Sequence, residues 1–339
     1  MTARRTGDRT RYAYAVGRVR ALETRLLDYA RLQRLADARD AADTLRLLGE
    51  SGFGGEALAD LAHPADFERV LAAEARGTAA LVSKLVKDKV ILDYLGARQD
   101  YHNLKVLLKD SLLGMAEVDP LVPGGRTSVD SLRRLVRGQP AREVPGDLVE
   151  AMAAAKAAHG AQPAAFAIDT AIDRALATTL TTLAAASGLK YLRELTAAQL
   201  DLTNLKSLMR VKVLGKDRRF LDSVLLPGGN IPTTRLLALL AADLEAIGAA
   251  FATSAYARVV EAGVRGLAAG SLTAMEKAAD EHYLRVAGRA RILAMGPEPV
   301  VGYALARENE LRNVRITMTG KLNGVPADVI RERLRDDHA

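Results

Sequence analysis

Apolar residues recur along almost the whole of this 339-residue chain at the spacing of an α-helix. Within residues 234–260, one apolar stripe consists of Leu236, Leu237, Leu240, Leu244, Ile247 and Phe251. Such positions, three and four residues apart, lie on one face of a helix, whereas a strand would alternate with a period of two. No stretch shows sustained alternation of β-branched residues, and Ala, Leu, Arg and Glu, all strong helix formers, dominate the composition. The sequence therefore predicts an all-α protein.

A six-residue pattern of acid, two variable residues, Asn, aliphatic residue and base occurs twice and then a third time in weaker form. The copies occupy residues 100–105, 201–206 and 310–315. The first two copies are followed at similar distances by the turns Val122-Pro123-Gly124-Gly125 and Leu226-Pro227-Gly228-Gly229, which the third copy lacks. A period of about 100 residues indicates three related helical units rather than one undivided core.

The repeat predicts the division of the chain. We expect a basic N-terminal tail over residues 1–10 and helical units over residues 11–125, 126–229 and 230–339. Three copies of one unit can form an open row or a ring-like three-fold arrangement, and the spacing does not choose between them.

On a helical wheel, the aliphatic residue of each motif and the residues three and four positions later form one packing face. Six residues are therefore expected to be buried: Leu104, Leu108, Leu205, Met209, Val314 and Met318. The acid falls inside this face and the Asn at its edge. These candidate structural residues are Asp100, Asn103, Asp201, Asn204, Glu310 and Asn313.

The motif bases point away from the packing face, and two interpretations of them are open. In the structural one, the acid and the Asn satisfy groups within their own unit and the bases are solvated, as charges on surface helices usually are. In the functional one, equivalent helices present bases to an acidic partner. The candidate partner-binding residues are Lys105, Lys109, Lys206, Arg210 and Arg315.

The residue types that catalysis and metal binding need are missing or scattered. The chain has no Cys, and its five His residues form no zinc-binding pattern. The Gly215-Lys216 pair belongs to no phosphate-binding loop, because Arg210 stands where the loop would begin with Gly. We therefore expect no catalytic residue, no metal and no cofactor.

The longest stretch without a charged residue, 175–189, has 15 residues and includes four Thr. It is too short and too polar to cross a bilayer. The Arg-rich start of the sequence is not followed by the apolar region of a secretory signal. These patterns predict a cytoplasmic protein without a transmembrane span.

The formal net charge is +7 and the isoelectric point is near 9.6, which favours an anionic partner. A basic helical-repeat scaffold that binds nucleic acid is the alternative function. It would be expected to cluster its Lys and Arg residues or to offer aromatic residues for base stacking. Here the bases are interspersed with acids, and aromatic residues make up 4% of the chain. Both observations count against nucleic acid as the partner.

Five segments together resemble the C subunit of the V-type and archaeal-type ATP synthases, which corresponds to the d subunit of the eukaryotic vacuolar ATPase. They are residues 12–23, 100–105, 191–206, 226–229 and 303–315. No single segment is diagnostic, and it is their order, spacing and triplication that make the resemblance specific. The chain departs from the pattern in its third copy and in an Ala- and Thr-rich stretch at 151–187.

The resemblance implies three similar helical domains around a pseudo-three-fold axis, in the shape of a funnel. Members of that family sit at the cytoplasmic face of the membrane as peripheral rotor subunits, one copy per complex. They link the central shaft, made of D- and F-type subunits, to the membrane proteolipid ring, and they transmit torque without binding nucleotide. The net basic charge would then match acidic residues of the ring or shaft, or anionic lipid headgroups.

Overall fold

The computed structural model describes residues 10–115, 121–141 and 143–336, and every regular element in these ranges is helical. The prediction of an all-α protein is confirmed. Residues 1–9 of the predicted basic tail lie outside the described residues. The α-helices are α1 (Ala13–Glu23), α2 (Tyr29–Asp37), α3 (Ala41–Glu50), α4 (Gly55–Ala59), α5 (Glu68–Leu85), α6 (Lys89–Leu113), α7 (Val129–Val136), α8 (Gly146–Ala161), α9 (Ala165–Ala186), α10 (Lys190–Val213), α11 (Arg218–Val224), α12 (Thr233–Leu239), α13 (Leu244–Phe251), α14 (Ala257–Ala269), α15 (Thr273–Gly288), α16 (Glu298–Leu322) and α17 (Ala327–Arg333). Two 3₁₀ turns lie at Pro64–Asp66 and Arg289–Ile292.

Several of these helices begin at a polar side chain that caps them. Asp28, Asp40, Ser128, Asp217 and Asp243 each accept a hydrogen bond from the backbone N–H three residues later. Such a cap satisfies one of the backbone donors that a helix start leaves without a partner. The start of each of these helices is therefore fixed by its local sequence.

The chain divides into two compact units. One consists of Met1–Lys87 together with Leu284–Ala339, and the other is Asp88–Tyr283. The first contains one motif helix, α16, and the second contains the other two, α6 and α10.

Each motif helix lies in its own hydrophobic core. Helix α6 packs against α7, α8 and α9, and helix α10 shares its core with residues of α11 to α15. Helix α16 packs with α2, α3, α5 and α17. Three cores of this kind are what a triplicated helical unit produces.

The three cores are not built from the three consecutive segments 11–125, 126–229 and 230–339 that the repeat predicts. Residues 27–71 share the core of the third motif helix, and residues 231–279 share that of the second. The physical reason is that the repeated motif marks only the central helix of each core. The helices that cover it are selected by complementary apolar faces, which the motif does not encode.

The predicted packing face is confirmed at all six positions. Their exposed fractions are 0% for Leu104, Leu108, Leu205, Met209 and Met318 and 1% for Val314. The helical wheel was therefore oriented correctly in all three copies.

Truncation of this face should destabilise the protein. We expect Leu205→Ala to lower the free energy of unfolding by about 2–5 kcal/mol, because it removes a fully buried side chain and leaves a cavity. Leu214, beside the end of the same helix, is 60% exposed, so Leu214→Ala should change stability by less than about 0.5 kcal/mol. Urea unfolding followed by circular dichroism measures both. Equal effects of the two substitutions would contradict this packing.

Candidate functional site: the three motif helices

The motif asparagine makes the same two-point contact in all three copies. Its side-chain amide accepts a hydrogen bond from the backbone N–H of one residue and donates one to the C=O of the same residue. Asn103 holds Val122 and Asn204 holds Leu226, with both N···O distances at 2.8 Å in each pair. Asn313 holds Arg335 with both N···O distances at 2.9 Å. We call this contact the asparagine clamp.

Only a carboxamide suits the clamp, because it presents an acceptor and a donor side by side, as the peptide group does. The three asparagines are 1%, 0% and 0% exposed, so the clamped peptide groups have little access to water. A buried peptide group without partners costs free energy, and the clamp removes that cost. This is the role that the structural interpretation gives to the motif Asn.

The motif acid of the first two copies holds the chain just beyond the Pro-Gly-Gly turn. Asp100 Oδ1 accepts a hydrogen bond from the backbone N–H of Thr127 at 3.1 Å. Asp201 Oδ1 accepts the equivalent bond from Ile231 at 2.9 Å. Both carboxyl groups are fully buried. Acid and Asn therefore pin the two ends of one turn to the motif helix.

Glycine is required at the two positions of the turn for different physical reasons. Gly124 and Gly228 have φ angles of 95° and 96°, a conformation that other residues rarely adopt. A Cβ on Gly125 would lie 2.1 Å from Asp100 Oδ1, and on Gly229 it would lie 2.2 Å from Asp201 Oδ1. The second glycine is thus required by the close approach of the acid.

The two buried aspartates have different neighbours. Asp100 Oδ2 accepts a hydrogen bond from Arg126 Nε at 2.7 Å, and Arg126 also binds Asp147. Burial raises the pKa of Asp100, and the Arg126 guanidinium opposes that shift. Asp201 Oδ2 instead accepts hydrogen bonds from the backbone N–H of Asn230 and from the Tyr256 hydroxyl, the latter at 2.7 Å. Burial and the contact with Asp201 raise the pKa of Tyr256, so that hydroxyl stays a donor.

In the third copy, the motif acid receives its backbone hydrogen bond from a residue near the other end of the chain. Glu310 Oε1 accepts a hydrogen bond from the backbone N–H of Leu27 at 2.7 Å, and its other oxygen pairs with Arg307. Burial raises the pKa of Glu310, and Arg307 opposes that shift. The acid of the third motif therefore also accepts a backbone hydrogen bond in a buried site, with a longer side chain and a different backbone partner.

The motif bases form ion pairs that join each motif helix to a neighbouring helix. The pairs are Lys105 with Asp173 at 2.5 Å, Lys109 with Asp169 at 2.7 Å, Arg210 with Glu276 at 2.6 Å and Arg315 with Glu68 at 2.6 Å. Lys206 also has an interaction partner. Partly exposed pairs of this kind contribute about 0–1 kcal/mol each. The bases point away from the packing face, but at least four of them are paired with an acid within the fold.

A further element of the repeat was missed by the sequence reasoning, although the sequence contains it. A glycine stands eleven residues after each motif Asn, and its φ is 63° at Gly114, 59° at Gly215 and 66° at Gly324. Each one ends its motif helix, in the left-handed conformation that favours glycine there. The repeat thus runs from the acid to the end of the helix.

The described part of the chain contains no cluster of three or more His, Asp or Glu side chains that could hold a metal ion. Among these same residues, each helix is too short or too polar to span a bilayer. A cleft of about 610 Å³ lies beside α3 and α4 and is mostly apolar. Arg46, which lines this cleft, is engaged in ion pairs with Asp43 and Glu50.

Fold and site together define an all-α protein of three motif helices, each clamped by a buried Asn to a chain segment that follows 19 or 22 residues later. Comparison with known proteins agrees with this. The family model described as "ATP synthase (C/AC39) subunit" matches residues 15–333. The chain belongs to this family, and the resemblance noted in the sequence is confirmed.

Relatives match over substantial parts of their length. The C subunit of the V-type sodium ATPase of Enterococcus hirae is 24% identical over 270 residues, which cover 80% of this chain and 82% of the relative. The C subunit of the A-type ATP synthase of Methanocaldococcus jannaschii is 24% identical over 342 residues, covering 95% and 86%. That of Haloferax volcanii is 30% identical over 172 residues, about half of each chain.

Proposed function

We propose that this chain is the non-catalytic C subunit of a V-type or A-type rotary ATP synthase or ATPase. In this role it links the central shaft, of D- and F-type subunits, to the membrane proteolipid ring. It passes torque between ion translocation and ATP synthesis or hydrolysis. The observation that carries the proposal is the family match over residues 15–333, together with relatives of that name that align over most of the chain.

The geometry of the motif helices supports a mechanical role. An element that transmits torque must resist internal deformation. Each asparagine clamp fixes the chain segment that follows its motif helix by two hydrogen bonds in a buried site, where loss of either leaves a polar group without a partner. Three such clamps, each beside its own core, make each motif helix and its neighbours stiff. We further propose that the three motif helices, each with its own core, surround a common axis, as the triplication favours.

Membrane association in this proposal is peripheral, through the ring on the cytoplasmic side, with one copy of the chain per complex. The proposal needs neither a cofactor nor a nucleotide site in this chain. Isothermal calorimetry of the purified protein with Mg-ATP should show no stoichiometric binding. Micromolar binding of ATP would contradict the assignment.

We propose that the outward ion pairs of the motif helices lie where the shaft and ring bind. Arg210 and Arg315 have side chains that are 55% and 48% exposed, so a partner can reach them without breaking the fold. A simple reversal of one base would place two acids side by side within the protein. A charge swap avoids this, because it exchanges both members of a pair and keeps the internal attraction.

The test therefore uses swapped pairs. The variant Arg210→Glu with Glu276→Arg and the variant Arg315→Glu with Glu68→Arg should fold normally but bind shaft and ring more weakly. We expect a loss of at least about tenfold in apparent affinity, because like charges facing each other across an interface cost several kcal/mol. Pull-down with purified D- and F-type subunits and with the proteolipid ring measures it.

The matched control exchanges an exposed pair outside the motif, Arg331→Asp with Asp37→Arg. It should assemble like the unmodified protein. Normal assembly of all three variants would remove the motif bases from the interface while leaving the family role intact. Failure of the unmodified chain to bind either shaft or ring would contradict the proposed function itself.

A further inference from the structure

The outer face of helix α1 is exposed and carries Arg18, with Arg25 just beyond the helix end. Its inner face is formed by the buried residues Ala15, Val16 and Val19, which follow the buried Tyr12. The opposite face carries Tyr14, Arg18 and, just beyond the helix end, Arg25, all of them exposed. Tyr14 stands out because 78% of its surface is exposed, although a large aromatic side chain is usually more buried.

Unlike four of the motif bases, Arg18 and Arg25 have no ion pair within the described residues. The acid of this helix, Glu23, is already held by Arg20 at 2.7 Å. The sequence before the helix adds Arg4, Arg5, Arg9 and Arg11, against the single acid Asp8. The first 25 residues thus contain seven Arg and only two acids, Asp8 and Glu23, so positive charge predominates at this end of the chain.

A second exposed apolar residue lies on the neighbouring 3₁₀ turn. Arg20 Nη2 donates hydrogen bonds to the carbonyls of Ala290 and Leu293, at 3.2 and 3.0 Å, and so holds the turn Arg289–Ile292 against α1. Ile292 on this turn is 85% exposed, more than any other large hydrophobic residue among those described. We define Tyr14, Arg18, Arg25 and Ile292 as the N-terminal basic surface.

We infer that the N-terminal basic surface binds the headgroups of an anionic phospholipid bilayer. Guanidinium groups bind phosphate through paired hydrogen bonds, and basic clusters on an amphipathic helix are attracted to acidic lipids. Tyr is favoured at the membrane–water interface, where its ring meets apolar groups and its hydroxyl meets water. An isolated protruding Ile finds apolar surroundings in a bilayer without a complementary pocket.

An acidic protein would satisfy the arginines, but it would need a pocket for each isolated side chain. The bilayer accounts for both the charge and the two protruding residues. This contact is separate from the proposed contacts with shaft and ring, and it can be measured on the isolated full-length chain.

The test is co-sedimentation with vesicles. The protein should bind vesicles made of equal amounts of phosphatidylglycerol and phosphatidylcholine, and salt should release it from them. It should not bind vesicles of phosphatidylcholine alone. The variant Arg18→Glu with Arg25→Glu should bind at least about tenfold more weakly, since each base near an anionic surface contributes about fivefold. The control Arg218→Glu with Arg219→Glu makes the same charge change at exposed positions of α11 and should bind normally.

A second measurement uses the absence of tryptophan from the chain. Tyr14→Trp introduces a single fluorophore, whose emission should shift to shorter wavelength with the anionic vesicles. Phe166→Trp, a partly exposed position on α9, should show no shift. The inference is overturned if the anionic vesicles do not bind, if both charge variants bind alike, or if the emission of the Tyr14→Trp variant does not shift. Binding to polyglutamate but not to vesicles would also overturn it, in favour of an acidic protein.

Discussion

Asn204→Ala is expected to lower the free energy of unfolding by about 2–6 kcal/mol. The substitution removes both hydrogen bonds to the peptide groups of Leu226, at 2.8 Å each, in a site that is closed to water. Each buried group left without a partner costs about 1–3 kcal/mol. Urea unfolding followed by far-UV circular dichroism measures the change.

Asn204→Asp tests the reason for this loss. It keeps the shape and the acceptor for the N–H of Leu226, but it places a second acceptor against the C=O of the same residue. We expect a loss comparable to that of Asn204→Ala. Asn323→Ala is the control, because the Asn323 side chain is exposed and bonds only within its own helix. Its effect should stay below about 0.5 kcal/mol. A small effect of Asn204→Asp would show that the clamp is not what stabilises this region.

Gly229→Ala is expected to destabilise the protein by about 3–5 kcal/mol. The new Cβ would lie 2.2 Å from Asp201 Oδ1, so the carboxyl group must move and give up its backbone donors at Asn230 and Ile231. The cost combines overpacking with lost hydrogen bonds to a buried acid. It does not come from the backbone, because Gly229 does not have a positive φ.

The control for this substitution has the opposite sign. Gly248 lies inside helix α13, and a Cβ there meets nothing within 4 Å. Gly248→Ala should therefore stabilise the protein by about 0.5–1 kcal/mol, since Ala favours a helix over Gly.

A double-mutant cycle sharpens the test. If the acid is the obstacle, Gly229→Ala should cost less in the background of Asp201→Ala than in the unmodified protein. An equal cost in both backgrounds would place the steric conflict elsewhere.

Local patterns in the sequence were enough to predict the fold class and the orientation of the motif helices. The period of the apolar residues put Leu104, Leu205 and Val314 on the packing face, and all three are buried. A helix needs only its own residues to define its faces, so such predictions depend on near neighbours in sequence. The sequence did not explain why the Pro-Gly-Gly turns need their second glycine. The structure does, because a Cβ on Gly125 or Gly229 would clash with the motif acid.

The partners of the motif residues were decided by tertiary structure. The sequence oriented Lys105 and Arg315 outward, but it did not reveal that Asp173 and Glu68 on neighbouring helices would meet them. Nor did it show that the N–H of Leu27 would serve Glu310, 283 residues away. Hydrogen bonds and ion pairs select partners by distance in space, whereas the repeat records only distance along the chain. The sequence by itself thus determined which helices are equivalent, and packing between distant helices decided what each motif residue holds.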